Sequence, residues 1–466
     1  MDFLSLNLDV VYSVLGYIQP IDALQLAMTC RAAHDIAIPR FLSHVVLGHE
    51  WCRVRPAQIA QFCSYVLADG KVRIPCIKAL TLHNTAFMTG SGQACLRVEY
   101  DYSAAVLLAQ VLQRASRLAR IDVYRAEHLL QSAPELANAL LVLPSLEDLR
   151  LRGVGPHALR VLSMMQSGPQ NLELEFARSV NDKTSTNHRQ AEFLHSFTSS
   201  VLSLSLTRPF HFMEELKSDV VWPKVRRLEV RGDIYRLSTL VQTFPNVRTL
   251  YIGGALLEDS ATTPAKWPAL DFVSISSPAP LCCAVRRLEL RYDLEILALP
   301  LFDIWSSGTM ALLRQTSPAV LTCYTNMRML KWIANNVSSL RFMQIFAHEP
   351  IYPSGANAED IESWIGTIVS LLAALPLVGI TVARSTTDAG REHAVQKLAA
   401  IVAAEIKTLQ YVGLNLTTSY HSWANYHFVW FKVVSRSGDT PHLKRLTDWH
   451  GDTVERQLLA TPREII

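Results

Sequence analysis

One short phrase returns eleven times along this chain: an apolar residue, two variable residues, an apolar residue, one variable residue, an apolar residue. It reads Ile77/Leu80/Leu82, Leu118/Ile121/Val123, Leu146/Leu149/Leu151, Val201/Leu204/Leu206, Val225/Leu228/Val230, Val247/Leu250/Ile252, Leu270/Val273/Ile275 and Val285/Leu288/Leu290. Weaker copies stand at Leu340/Met343/Ile345, Leu377/Ile380/Val382 and Leu409/Val412/Leu414. The last two apolar positions alternate with polar ones, the period of a strand with one buried face. A unit that recurs through most of a chain implies stacked supersecondary units, because one unit cannot bury its apolar face alone. Such an array offers an extended surface rather than a single catalytic pocket.

Helical stretches are expected between the strands: Ala104–Arg114, His157–Met165, Arg189–Phe197, Tyr235–Phe244, Met327–Asn335, Asp360–Leu375 and Glu392–Glu405. Several strand phrases follow a proline, which ends a helix and opens an extended segment. Leu204, Leu228, Leu250 and Val273 are separated by 24, 22 and 23 residues. From Val273 to Leu288 is only 15, with Pro278 and Pro280 between, so a loop replaces the helix there. A degenerate copy is expected around Val320–Tyr324.

The first 47 residues read differently. Leu8, Val11, Leu15 and Ile18 mark one helical face, and Val10, Val14 and Tyr17 mark a second. Pro20 breaks that helix. Asp22 with Gln25 suggests a capped start for a second helix, and a third is expected from Arg31 to Ile38, stopping at Pro39. The expected organisation is a helical module at 1–47, a connector at 48–73 and a repeat array at 74–466.

The repeat region resembles an irregular leucine-rich repeat array, an α/β solenoid of horseshoe form, although the usual asparagine after the third apolar position is mostly missing. The N-terminal stretch resembles the F-box: Leu6, Asp9, Val14, Leu15, Ile18, Pro20, Asp22, Leu24, Leu26, Cys30 and Arg31 follow that family's order. Asn7 stands where the family usually has proline, and His34 fills the usual tryptophan-like position. The combination is similar to fungal-type F-box/leucine-rich-repeat proteins. That resemblance implies a substrate receptor of a Skp–cullin–F-box ubiquitin ligase. Its partners would be a Skp-type adaptor, through it a cullin, and a target protein. The adaptor would be held by Leu6, Leu8, Val11, Val14, Leu15, Ile18, Pro20, Leu24 and Leu26. The other reading of these helices is a cap on the open end of the array, since solenoid ends must be shielded.

Motifs of chemistry are missing. There is no phosphate-binding glycine loop, dinucleotide fingerprint or nucleophile elbow. His393 beside Glu392 reads as a helix surface, and His421 and His427 lack the spacing of zinc ligands. The chain is therefore expected to be no enzyme and to need no cofactor or metal. Eight cysteines lie scattered without a Cys-x-x-Cys, which fits reduced thiols in the cytosol or nucleus. Asp2 and Asp9 interrupt the first apolar stretch, so no signal peptide is expected. No membrane span is expected either, and a formal net charge of +3 without a basic run gives no nucleic-acid footprint. The aromatic cluster Tyr420, Trp423, Tyr426, Phe428, Trp430 and Phe431 suggests a helix packed at the end of the array.

Residues flanking the inner apolar positions of each strand face away from the core. That places Arg150, Arg152, Arg227, Glu229, Arg231, Arg287, Glu289 and Arg291 on the concave face, with Asp122, Tyr124, Tyr251, Phe342, Gln344 and Phe346. Arginine forks onto carboxylates and phosphates, so Arg150, Arg152, Arg231 and Arg291 are candidates for an acidic or phosphorylated target. Tyr124, Tyr251, Phe342 and Phe346 are the apolar candidates. Against this, Glu229 and Glu289 can neutralise the arginines from neighbouring strands.

Overall fold

The computed structural model describes residues 6–48, 56–89, 99–177, 193–209, 220–257, 266–292, 301–324, 326–347, 361–385, 391–417, 427–438 and 440–460. The chain forms two compact units, Met1–Gly232 and Asp233–Ile466. Both are α/β, and their described residues form sixteen α-helices and sixteen strands.

The first unit opens with three helices, α1 (Leu8–Tyr17), α2 (Pro20–Ala27) and α3 (Arg31–Leu42), and then β1 (His44–Leu47). There follow α4 (Pro56–Ala68), α5 (Gly70–Arg73), β2 (Ala79–Leu82), α6 (Ala105–Arg114), β3 (Arg120–Val123), α7 (Ala126–Ser132) and α8 (Pro134–Leu141). β4 (Asp148–Val154), α9 (Pro156–Ser163), β5 (Asn171–Phe176), α10 (Phe193–Phe197) and β6 (Ser203–Thr207) lead to β7 (Arg227–Arg236), which runs across the division. The strands pair in parallel and in sequence order from β1 to β7.

The second unit continues with α11 (Leu237–Thr243), β8 (Thr249–Leu257), β9 (Ala269–Ile275), β10 (Ala284–Leu290), α12 (Leu301–Thr316), β11 (Val320–Tyr324), α13 (Met327–Asn336) and β12 (Phe342–Ala347). α14 (Ile361–Leu372), β13 (Gly379–Ser385), α15 (Arg391–Glu405) and β14 (Tyr411–Thr417) complete its parallel part. It ends in β15 (Val429–Ser437), β16 (Thr440–Arg445) and α16 (Asp448–Leu459). β8 to β14 pair in parallel, and β15 and β16 add on antiparallel.

The repeated phrase sets the register. Leu80, Ile121, Leu149, Leu172, Leu204 and Leu228 are successive partners across β2–β7. Leu250, Val273, Leu288, Leu321, Met343, Ile380 and Val412 form the matching row across β8–β14. All of these are buried. Because side chains alternate along a strand, a slip of one residue would turn a whole row out of the core. Helices cover that face: Leu112 of α6, Leu129 of α7 and Leu136 of α8 close with Leu80, Ile121 and Val123 around a void of only about 10 Å³.

Several expectations are corrected. α2 starts at Pro20, two residues before Asp22, with proline in the first turn where its missing N–H costs nothing. α3 continues through Pro39 to Leu42, because Ile38 and Leu42 are buried and hold its last turn in place. The sheet begins at β1, inside the segment read as a separate module and well before residue 74. The connector holds α4, whose Ile59, Cys63 and Val66 are buried. β7 takes Tyr235 and Arg236, so α11 starts only at Leu237. No helix forms from Phe428 to Phe431; Trp430 and Phe431 are buried in β15, while Tyr420, Trp423 and Tyr426 lie outside the described residues. The first four residues of the helix expected at Arg189–Phe197 also lie outside them, and Phe193–Phe197 forms α10. The loop without a helix between β9 and β10, and the strand at Val320–Tyr324, are as expected.

Candidate interaction surfaces

In the N-terminal module, α1 starts at Asn7, whose Oδ1 accepts from the N–H of Asp9 at 2.9 Å. The residue that departs from the F-box proline is thus a working helix cap. Arg40 of α3 donates through Nε and Nη2 to the carbonyl of Ile18, at 3.0 and 2.8 Å, tying the end of α1 to α3. Val11 and Leu15 of α1, Ala23 and Ala27 of α2, and Ala33 and Ala37 of α3 are buried. The small alanines leave room for close helix approach. Val11 and Leu15, expected to touch an adaptor, are therefore the module's own core.

The surface around this core is unusual. Leu8, Val10, Tyr12, Val14, Tyr17, Ile21 and Met28 are all exposed, Tyr17 to 88 %. Seventeen large apolar residues are exposed among the described residues, and seven of them fall within these 21 positions. Of the expected adaptor residues, Leu8 and Val14 are exposed, and Leu6, Ile18, Pro20, Leu24 and Leu26 are half-buried. Val10 and Tyr17 were legible as the second helical face, but Tyr12, Ile21 and Met28 follow no period. Beside the module lies an open groove of about 460 Å³, whose lining includes Tyr12, Pro39, Arg40, Lys78 and Arg117. Burial lowers the His44 pKa, and the charges of Arg40, Arg120 and Lys78 lower it further.

The strand face opposite the helices carries the expected arginines, paired internally. Arg150 lies 3.4 Å from Glu173, its direct partner across β4 and β5. Arg152 lies 3.7 Å from Asp122, and Arg208 pairs with Glu175. Within β7, Glu229 sits between Arg227 at 3.8 Å and Arg231, two residues away on either side and so on the same face. In the second unit Glu289 repeats this, with Arg287 at 3.8 Å and Arg291 at 2.6 Å. Glu229 and Glu289 thus meet arginines two residues away along the chain, while Glu173 meets its arginine across neighbouring strands. In the first unit five arginines meet four carboxylates, so the face has little net charge. Burial raises the Asp122 carboxyl, against the opposing pull of Arg152, Arg150, Arg120 and His83.

Aromatic residues join these pairs. Tyr124 lies between the His83 ring at 4.2 Å and the Arg152 guanidinium at 4.3 Å. Tyr251 meets Phe272 at 5.0 Å, Arg291 lies 5.9 Å from the Tyr251 ring, and Arg287 lies 4.7 Å from the Phe272 ring. Phe342 and Phe346 lie on the expected face but are not open to a target. Both are buried beneath α16, together with Ala383, Phe428 and Trp430. Glu173 and Glu175 escaped sequence reasoning because β5 carries Pro169 at the first apolar position of its phrase.

Among the described residues no three His, Cys, Asp or Glu side chains converge to hold a metal ion. No described helix is long and apolar enough to cross a membrane. No family model matches the chain, and no curated protein compared with it matches either.

Proposed function

We propose that this chain is an F-box/leucine-rich-repeat type substrate receptor of a Skp–cullin–F-box ubiquitin ligase. The N-terminal helices dock on a Skp-type adaptor through their outer apolar side, the strand face of the repeats holds a target protein, and the chain performs no chemistry itself. The observation that carries this reading is the seven exposed apolar side chains within residues 8–28. Burying them against a partner stabilises the pair by roughly 25 cal/mol for each Å² removed from water, and a patch of this kind marks an interaction site. A module of about 40 residues also gains from a partner, since so small a core is marginal alone.

A second reading has its own support. α3 leads directly into β1, the edge strand of the first unit's sheet, so the module also shields that end. Under this reading the chain is a protein-interaction scaffold whose F-box-like segment is only a cap. Tyr17→Asp and Val14→Asp decide between them, because both positions are exposed and neither change disturbs the core. Pull-down of the adaptor is expected to fall at least tenfold with the double variant while the melting temperature stays within about 2 °C, as surface changes usually do. Unchanged capture would favour the scaffold reading.

A further inference from the structure

The groove beside the N-terminal helices combines two chemistries. Leu15, Ile36, Val72 and Pro75 give it apolar surface, and Arg40, Lys78 and Arg117 give it positive charge. Among its described lining residues there is no Asp or Glu. The chain as a whole carries 44 Lys and Arg against 41 Asp and Glu, so this excess of cations is local. The volume of about 460 Å³ falls in the range of roughly 300–1,000 Å³ usual for binding sites.

The fold holds these cations close together. Arg40 is anchored by its two hydrogen bonds to the Ile18 carbonyl. Lys78 and Arg117 stand just before β2 and β3, at the same end of two paired parallel strands. The N–H of Lys78 donates to the Ser43 carbonyl at 3.2 Å. The Lys78 carbonyl accepts from Ala119 at 2.9 Å and from Arg120 at 3.0 Å, so the turns before β1, β2 and β3 are tied to one another. Lys78 and Arg117 are exposed, and among the described residues no carboxylate pairs with either. Their charge reaches the neighbouring side chains. Burial, and then the charges of Arg40, Arg120 and Lys78, lower the His44 pKa. Burial raises the Cys76 thiol, and Arg117 and Lys78 pull it back. Like charges gathered on rigid turns form a positive field that attracts an anionic partner.

We propose that this groove binds an acidic peptide segment of a partner protein, with an aliphatic side chain among its carboxylates. The carboxylates meet Lys78 and Arg117, and the aliphatic side chain removes apolar lining from water. Val72 is 61 % exposed and Tyr12 54 % exposed, so there is surface to cover. Gly16 leaves room, since an added Cβ there meets nothing within 4 Å. A phosphate ion would leave the aliphatic lining unused. A single-stranded nucleic acid stacks its bases on aromatic rings, and Tyr12 is the one aromatic residue of the described lining. The site goes beyond the proposed function and depends on neither adaptor nor target capture.

The probe is a short fluorescent peptide of aspartates and glutamates around one central leucine, titrated onto the full-length chain. Binding is expected, and it should weaken between about 50 and 300 mM salt, since exposed charges are screened. Lys78→Glu combined with Arg117→Glu should weaken it roughly tenfold or more, because attractions become repulsions. Gly16→Leu changes no charge but fills the open space, and should weaken it about fivefold or more. A peptide with glycine in place of leucine should also bind less tightly. The substituted positions are exposed, so melting temperatures should stay within about 2 °C of the parent. Hydrogen exchange on the unaltered chain gives a readout that needs no variant: bound peptide should slow the amides between Val72 and Lys78. No binding at about 1 mM peptide, or equal affinity of parent and charge-reversed chain, overturns the proposal. Equal affinity for the leucine and glycine peptides overturns it too, since the groove would then hold an anion only. So does displacement of the peptide by single-stranded DNA at lower concentration than by unlabelled peptide. A parent dimer that Gly16→Leu breaks up also overturns it, since the occupant would then be a second copy.

Discussion

At the scale of single residues, Glu455 shows how burial and charge set the hold of α16. Burial raises its carboxyl above the ordinary 4.5, Asp452 raises it further, and Gln344, Arg287 and His427 pull it down. A carboxyl raised on folding favours the folded state while protonated, so its contribution is fully present below pH 4.5 and fades as pH rises through the raised value. Docking of α16 is therefore expected to weaken from acid to neutral pH. Glu455→Gln, which keeps an acceptor for Gln344, should flatten that dependence and raise the melting temperature of the second unit at pH 8. Thermal melts of both proteins from pH 5 to 8 check this, and an unchanged slope would remove Glu455 as the cause. The sequence told which face Gln344, Phe342 and Phe346 take, because alternation along a strand is local. It did not tell that the face is covered, because α16 lies more than a hundred residues further along the chain. The pairing of Glu229 with Arg227 and Arg231 was nearer to hand, since residues two apart on one strand share a face.

At the scale of elements, the strands carrying the eleven aliphatic phrases were legible and β5 was not. Pro169 in its first apolar position hides the pattern, although Leu172 and Leu174 are as buried as their counterparts. β15 and β16 were missed for a different reason. They pair antiparallel with the end of the parallel sheet and follow no repeat. Helix ends were least legible where tertiary contacts decide them, as at Pro39. One such contact supports a prediction. Glu127 of α7 accepts from the N–H groups of His157 and Ala158 at 2.9 and 2.8 Å, capping α9 from thirty residues away. The carboxylate also lies where it complements the helix dipole. Gly155 leaves room for it, since an added Cβ would come 2.7 Å from the Glu127 carboxyl carbon. Glu127→Ala is expected to cost about 1–2 kcal/mol, the usual loss of a cap. Urea denaturation measures this, and a change below about 0.3 kcal/mol, small beside that of any ordinary cap, would mean that solvent replaces the carboxylate.

At the scale of the whole molecule, repetition led the sequence reading to a single array from residue 74. The chain forms two compact units, Met1–Gly232 and Asp233–Ile466. No linker marks that division, because β7 runs through it. Repeat arrays gain stability from nearest-neighbour interfaces, so each unit's stability depends on its own terminal elements. Ending the chain after Leu409 removes β14, β15, β16 and α16. β13 would then be left as an exposed edge, and Phe342, Phe346 and Ala383 would lose their cover. An unpaired apolar edge strand invites association. The truncated chain is expected to lose solubility and to lower or abolish the melting transition of the second unit. A transition from the first unit should survive, with native exchange protection in β2 to β6. Following exchange in both units as urea rises separates the outcomes. Loss of protection in β2 to β6 together with the second unit would mean that the chain is one cooperative stack. A soluble truncation with the full-length profile would mean that the C-terminal strands and α16 add nothing to the fold they cover.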